Sequence, residues 1–261
     1  MPFRIGGGRR RLRAAALVAA VGLSSLVGCA SGGDDDEVAQ QLTVFAAASL
    51  SGAFTEIAEE FEGAHPGVSI RLGFDGSSGL VDQLAGGAPA DVFASADVRT
   101  MDRAVAEGLV AGEPTPLATN VLTLITPPGN PAGITGLDDS LDGARLVVCA
   151  AVVPCGAAAR TLADAAGIDL APVSEESTVT DVRGKVTSGE ADAGIVYATD
   201  ARAVADRVER VPIAGADAVP NVYPVAVLDR AADSEMARLF VDAVTGPEGR
   251  AVLAEYGFGP P

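Results

Sequence analysis

The sequence predicts an α/β protein of two units, each a mixed, mainly parallel sheet flanked by helices. Three observations predict it. Apolar runs of strand length alternate with helix-period patterns from Leu42 onward, and a β-α-β-α rhythm implies a largely parallel sheet with helices on both sides. A break at Glu113 to Pro116 is followed by a fresh apolar run at Val121. The chain has 261 residues, 48% hydrophobic and 20% charged, which is ordinary globular composition with ample material for a core.

The first thirty residues read as an address. Arg4, Arg9, Arg10, Arg11 and Arg13 form a positive n-region, and Ala14 to Val27 an apolar stretch too short for a comfortable membrane span. It ends Leu26-Val27-Gly28-Cys29. Small residues before a cysteine at this point resemble the bacterial lipobox. Residues 1–28 are therefore expected to be a lipoprotein signal peptide, with Cys29 the lipidated new N-terminus. The alternative is an ordinary secretory signal with Cys29 incidental. Arg9-Arg10-Arg11-Leu12 also resembles a twin-arginine signal, which leaves the export route open. Removing residues 1–28 takes away five arginines and no acid, deepening the formal charge from −17 to −22. Residues 29–41, with Gly32-Gly33 and Asp34-Asp35-Asp36-Glu37, read as a flexible acidic tether.

Leu42 to Ala47 reads as a buried strand. The next segment sets Leu50, Phe54, Ile57, Ala58 and Phe61 on one helical face, and Gly63 to Gly67, with Pro66, breaks it. Val68, Ile70, Leu72 and Phe74 alternate, as in a strand with one covered face. Leu80 to Leu84 is a short helix and Asp91 to Ser95 a short strand. In the second unit the strands are Val121 to Ile125, Arg145 to Cys149, Gly194 to Tyr197 and Val208 to Ile213. Its helices are Gly156 to Ala166, Val179 to Thr187 and Thr199 to Arg207. Tyr223 to Val227 is a strand returning to the first unit. Ser234 to Val244 is an amphipathic helix with Met236, Leu239, Phe240, Ala243 and Val244 inward, and Glu248 to Tyr256 follows Gly246-Pro247 as a last helix.

Composition excludes several functions. A charge of −17 argues against nucleic acid, whose affinity comes from Lys and Arg neutralising phosphates. One histidine, His65, and three cysteines cannot build a His-rich metal site or a Cys₄ zinc site. Ser-His-Asp chemistry would have to use His65, which sits beside Pro66 and Gly67 and reads as an exposed turn residue. Asp97, Asp192 and Asp200 read as structural acids that cap helices or pin loops.

Three places put small donors after a strand and before a helix: Ala48-Ser49, Gly76-Ser77-Ser78 and Pro154-Cys155-Gly156. Unpartnered N–H groups at helix N-termini, reinforced by hydroxyls, form anion sites without a positive side chain. Taken singly, each serine reads better as an ordinary N-cap.

The motifs Thr43-Val-Phe-Ala-Ala-Ala-Ser49-Leu50, Gly87-Ala-Pro-Ala-Asp91-Val-Phe-Ala-Ser95-Ala-Asp97 and Gly189-Glu-Ala-Asp192-Ala-Gly194-Ile-Val-Tyr197 carry a resemblance. Tyr223-Pro-Val-Ala-Val227, Gly246-Pro-Glu-Gly249 and Tyr256-Gly-Phe258 extend it. From about Leu42 to its end the chain resembles the periplasmic molybdate-binding proteins of molybdate ABC importers. The resemblance implies the two-lobed periplasmic-binding-protein fold of type II. Residues 42–120 and 226–261 would form the first lobe and 121–225 the second, with hinge crossings near 120 and 225. It also implies a monomer that binds molybdate, and tungstate, in the cleft and hands it to the permease and ATPase subunits. No cofactor, catalytic residue or metal beyond the oxyanion's own is implied.

Carried over residue by residue, the ligand set is Ser49 and Ser77 as hydroxyl donors, Cys155 through its backbone N–H, the N–H of Val179, and the phenol of Tyr197. Asp181-Val182-Arg183-Gly184 offers Val182 as a rival to Val179; an ungapped count back from the Gly189 to Tyr197 motif favours Val179. Two departures stand out. Asp75, two residues before Ser77, would repel a dianion if it faced the cleft. Cys149 and Cys155 flank a short loop and read as a disulfide, the alternative being two unpaired core thiols. A dianion such as molybdate brings only acceptors, so an all-donor cleft satisfies every oxygen. Hydrogen phosphate brings a proton that such a cleft leaves unmatched, at roughly 1–3 kcal/mol. Sulfate, phosphate or a small organic anion remains the alternative ligand class.

Overall fold

The structure is a computed structural model and describes residues 40–261. The expected signal peptide, the lipidation site Cys29 and the tether up to residue 39 lie outside the described residues.

In chain order the elements are β1 (Gln40–Ala47), α1 (Ser51–Ala64), β2 (Val68–Asp75), α2 (Ser77–Ala85), β3 (Val92–Ala94), α3 (Val98–Ala106) and β4 (Thr115–Asn120). Then come β5 (Leu122–Thr126), β6 (Leu146–Cys149), α4 (Pro154–Ala166), β7 (Ser174–Glu176), α5 (Val179–Thr187), β8 (Ala193–Tyr197), α6 (Ala198–Arg202) and β9 (Glu209–Pro212). The chain closes with β10 (Asn221–Val227), α7 (Ser234–Thr245) and α8 (Pro247–Glu255).

These strands form two five-stranded sheets, β2-β1-β3-β10-β4 and β7-β6-β8-β5-β9. Within the first, β1 runs parallel to β2 and β3, while β10 is antiparallel to β3 and β4. Within the second, β6 is parallel to β7 and β8, and β5 is antiparallel to β8 and β9. Both sheets therefore share one pattern of strand directions, with a single reversed strand in fourth place. Each sheet with its helices is one lobe.

Burial explains the elements. Leu42, Val44 and Ala46 of β1 are buried, as are Phe54, Ile57, Ala58 and Phe61 of α1. Phe54 and Phe61 meet Phe240 of α7 edge to face, with ring centroids 6.2 Å and 5.4 Å apart, a geometry worth about 0.5–1.5 kcal/mol per pair beyond area burial. On α7 the buried stripe is Ala237, Phe240, Val241 and Val244, at i, i+3, i+4 and i+7. Leu239, expected inward, is instead exposed.

Three elements escaped the sequence patterns. Strand β4 contains Pro116, which reads as a breaker, yet β4 is an edge of its sheet, where proline is tolerated. Its partner β10 shifts register between Tyr223 and Pro224, a bulge that accommodates the second proline. Strand β7 is the polar edge Ser-Glu-Glu, with Glu176 held by Lys185. Helix α3 is short and capped by Asp97, which accepts from Thr100 N–H at 2.8 Å. Helix α6 is shorter than expected. Beyond Arg202 the bonds tighten to the i+3 pattern, Val204 N–H to Ala201 O and Arg207 N–H to Val204 O, which does not propagate an α-helix.

The chain passes between lobes at Val121, between the end of β4 and the start of β5. It returns between Pro212 and Asn221, earlier than the expected crossing near 225, because β10 pairs with the first sheet from Asn221 on. The last residues brace this region: Thr119 and Gly259 exchange backbone hydrogen bonds of 2.9 Å in both directions.

Candidate functional site

Strand ends supply the site. β1, β2, β6, β7 and β8 each end at or shortly before residues that line one cleft. Ser49, Ser77, Cys155, Val179 and Tyr197 all line this one cleft. Val182 does not: it is fully buried and packs its side chain towards Gly194. The cleft is small, about 20 Å³ for the centre of a water-sized sphere, far below the several hundred Å³ that drug-sized ligands require. No lysine or arginine is among its lining residues.

Two of the hydroxyl oxygens, those of Ser77 and Tyr197, already accept, and the third, Ser49, is paired with a phenol. Ser77 is buried at the first position of α2, and its Oγ accepts from Ala96 N–H at 3.0 Å. Tyr197 Oη accepts from Asn221 Nδ2 at 3.0 Å. Ser49 Oγ lies 3.0 Å from Tyr223 Oη, and that phenol accepts from Asn120 Nδ2 at 3.4 Å. With Tyr223 donating onward to Ser49, the Ser49 proton is left for the cleft. A hydroxyl carries one proton, so an oxygen that accepts internally keeps that proton free to turn to the cleft. Burial, with Tyr223 alongside, pushes the Tyr197 phenol well above its ordinary pKa. It therefore remains a neutral donor across the physiological range.

Backbone donors complete the lining. The short 3-10 turn Ala48–Leu50, α2 and α4 begin with no side-chain cap. Uncapped first-turn N–H groups have no intrahelical partner and carry the positive end of the helix dipole. In α4, Pro154 takes the first position, where no N–H is needed, and Cys155 presents the next one. In α5, Thr178 Oγ1 accepts from Asp181 N–H at 3.1 Å, so the cap leaves Val179 N–H unused by that side chain. Asp75 lines the cleft as well. Its two oxygens accept from Gly76 N–H at 2.7 Å and Gln83 Nε2 at 3.0 Å, which turns the carboxylate onto its own loop.

A disulfide joins Cys149 and Cys155, with Cα atoms 5.7 Å apart. It closes the loop that carries Val152 and Val153 and precedes the Cys155 N–H. Closing so short a loop contributes about 2 kcal/mol in the chain-entropy account. Reduction is expected to lower the thermal midpoint measurably and to weaken ligand capture; melting and titration with and without dithiothreitol check both effects.

The lobes touch across the cleft. Ser78 Oγ and Arg99 Nη2 of the first lobe both donate to the Val152 carbonyl of the second, at 2.7 Å and 3.0 Å. Gly76 sits directly against the Ser177 carbonyl. These contacts define a closed arrangement.

Behind Tyr197, Asp200 is 3% exposed and 3.5 Å from Arg183, with Oδ2 unpartnered. Burial pushes its carboxyl up to about 7, against the pull of Arg183. The folded protein thus binds this proton more tightly than the unfolded chain. Stability from this group therefore rises as pH falls from about 7 towards the ordinary value of 3.8. Asp200→Asn is expected to flatten that slope and to melt higher than the parent protein at pH 8; melting curves from pH 5 to 8 test it. The other two structural acids behave as expected. Asp97 caps α3, and Asp192 accepts from Arg145 N–H at 2.9 Å and from its guanidinium at 2.6 Å.

His65 stands apart from the cleft. It ends α1 and stacks on Phe61 with centroids 4.0 Å apart. Among the described residues no group of three or more His, Cys, Asp and Glu is placed to hold a metal ion, and no helix is long and apolar enough to cross a membrane. Sequence patterns missed Asn120, Asn221 and Tyr223 as supports of the site, because polar residues inside strands carry no local sign of what they face.

A sequence profile of the bacterial extracellular solute-binding proteins matches residues 42–259. The molybdate-binding protein ModA of Mycobacterium tuberculosis is 46% identical over 252 residues, covering 94% of this chain and 97% of its own. Among solved structures, the periplasmic molybdate-binding protein of Azotobacter vinelandii superposes with a TM-score of 0.72 at 21% identity, over 84% of this chain and 99% of that one. The sulfate-binding protein SubI of Mycobacterium tuberculosis superposes with a TM-score of 0.70 at 19% identity, over 85% and 87%. At such identities the structural likeness shows the two-lobed fold. Neighbours named for different anions share that fold, so the ligand is decided by the cleft.

Proposed function

Because this chain belongs to the family of bacterial extracellular solute-binding proteins, we propose that it captures molybdate, and tungstate, and delivers it to an ABC importer. One observation carries this reading. Three hydroxyls, two of them already accepting elsewhere and the third paired with the Tyr223 phenol, converge with backbone N–H groups on one small cleft that lacks cationic side chains. Apart from the Asp75 carboxylate, which is bonded to Gly76 and Gln83, the polar side chains of this cleft present donors. A permanently deprotonated tetrahedral dianion presents acceptors only, and every hydrogen bond to it is charge-assisted. The ligand donors are Ser49, Ser77, Tyr197 and the N–H groups of Cys155 and Val179. The 46% identity to a protein named for molybdate supports the choice of ion.

The protein does no chemistry in this reading. A hydrolase using Ser49 or Ser77 would need a base, and the single histidine lies at the far end of α1. The chain acts outside the cytoplasmic membrane, anchored through lipidated Cys29 and reached by the acidic tether. It works as a monomer and passes the ion to permease and ATPase subunits. Residues near 120 and between 212 and 221 serve as the hinge of the two lobes.

Calorimetry on the mature protein tests the reading, with molybdate, tungstate, sulfate and phosphate titrated in turn. Tight one-to-one binding of molybdate and tungstate, with sulfate and phosphate weak, is the expected result. Folded, ligand-free protein that takes up sulfate or phosphate in preference would transfer the function to that anion.

A further inference from the structure

We propose that Asn120 and Asn221, the asparagines at the two lobe crossings, hold the three hydroxyls of the cleft as donors. The inference rests on the oxyanion reading above and extends it to residues outside the cleft lining. Asn120 is the last residue of β4 and Asn221 the first of β10, and the two are register partners.

Each amide has only one workable orientation. Asn120 Oδ1 accepts from Val121 N–H at 3.0 Å, so its Nδ2 faces Thr199 Oγ1 at 2.8 Å and Tyr223 Oη at 3.4 Å. Asn221 Nδ2 faces the Ala96 carbonyl at 3.0 Å, which can only accept. The same nitrogen therefore also donates to Tyr197 Oη at 3.0 Å. Ala96 in turn donates its own N–H to Ser77 Oγ at 3.0 Å. Asn221 thus orients Tyr197 directly and holds the residue that orients Ser77. Asn120 reaches Ser49 through Tyr223.

The consequence is selectivity set at the hinge. With both amides in place, the three hydroxyl protons are free to turn to the ligand, and an anion carrying its own proton meets no hydroxyl acceptor. An aspartate at 221 would accept a hydrogen bond from the Tyr197 hydroxyl and leave that oxygen facing the ligand as an acceptor. Both asparagines are positioning residues, acting through the hydroxyls they hold.

A double-mutant cycle on the whole mature protein tests this, with molybdate as the probe. Asn221→Ala, Tyr197→Phe and the double variant are titrated by calorimetry, and each is checked for cooperative melting. Asn221→Ala is expected to weaken molybdate at least tenfold alone and several-fold less in the Tyr197→Phe background. Equal losses in both backgrounds would overturn the proposal, since a purely structural asparagine costs the same in each. The cycle of Asn120→Ala with Tyr223→Phe serves if Asn221→Ala does not fold. Asn221→Asp supplies a second readout. Its preference for molybdate over inorganic phosphate, measured by competition, should narrow at least tenfold, and a ratio within twofold of the parent counts against the arrangement. Parent protein that binds no molybdate strikes the functional reading itself and is told apart by that control.

Discussion

Gly76→Ala is expected to cost at least about 100-fold in molybdate affinity while leaving both lobes folded. The backbone at Gly76 has φ −60° and ψ 133°, which any residue adopts, so alanine brings no local strain. Its Cβ, however, would fall far inside van der Waals contact of the Ser177 carbonyl oxygen. Gly76 precedes α2 in the first lobe and Ser177 precedes α5 in the second. The clash therefore exists only when the cleft is shut. Relieving it separates the lobes and loosens the Ser78 and Arg99 bonds to Val152. Donors of one lobe then no longer reach a ligand seated on the other. Hydrogen bonds to a charged group are each worth about 1.5–3 kcal/mol, and losing two of them accounts for 100-fold or more. Calorimetry measures the loss, and small-angle scattering in saturating molybdate reads the separation. Unchanged affinity would show that the cleft closes without this contact.

Tyr197→Phe is expected to weaken molybdate by about 10- to 100-fold with little change in stability. The ring keeps its edge-to-face contact with Tyr223, whose centroid is 5.8 Å away, so packing survives. Only the hydroxyl is lost. One ligand oxygen is then unsatisfied in a site that excludes water, and Asn221 Nδ2 loses a partner, at about 1.5–3 kcal/mol together. Since burial raises the Tyr197 pKa well above 10, the parent protein should show no affinity change from this group between pH 6 and 9. Titrations at three pH values check both statements. A Tyr197→Phe variant that binds as tightly as the parent would remove the phenol from the site.

These effects differ in how visible they were in the sequence. Ser49, Ser77 and Cys155 were legible because each follows an apolar run and opens a helix, a local pattern with a local cause. Val179 required a choice against Val182; both side chains are buried, and of the two only Val179 lines the cleft. The inward face of α7 was read one step out of phase at Leu239, because alanine at 237 buries silently beside larger neighbours. Pro116 hid β4, since a proline forbids a central strand but not an edge.

The sequence by itself determined the α/β class, the two-unit division and the donor-rich loops. Periodicity, breakers and residue counts are local quantities and survive without a fold. Tertiary structure alone decided which loops meet, that Gly76 abuts Ser177, and that Asn120 and Asn221 pair across the crossings. It also turned Asp75 onto its own loop and buried Asp200 with one oxygen unpartnered. Apart from the Asp75 bonds, which are local, those facts depend on contacts between residues from 17 to about a hundred positions apart. There the direction of a hydroxyl proton is set by whichever neighbour the fold supplies.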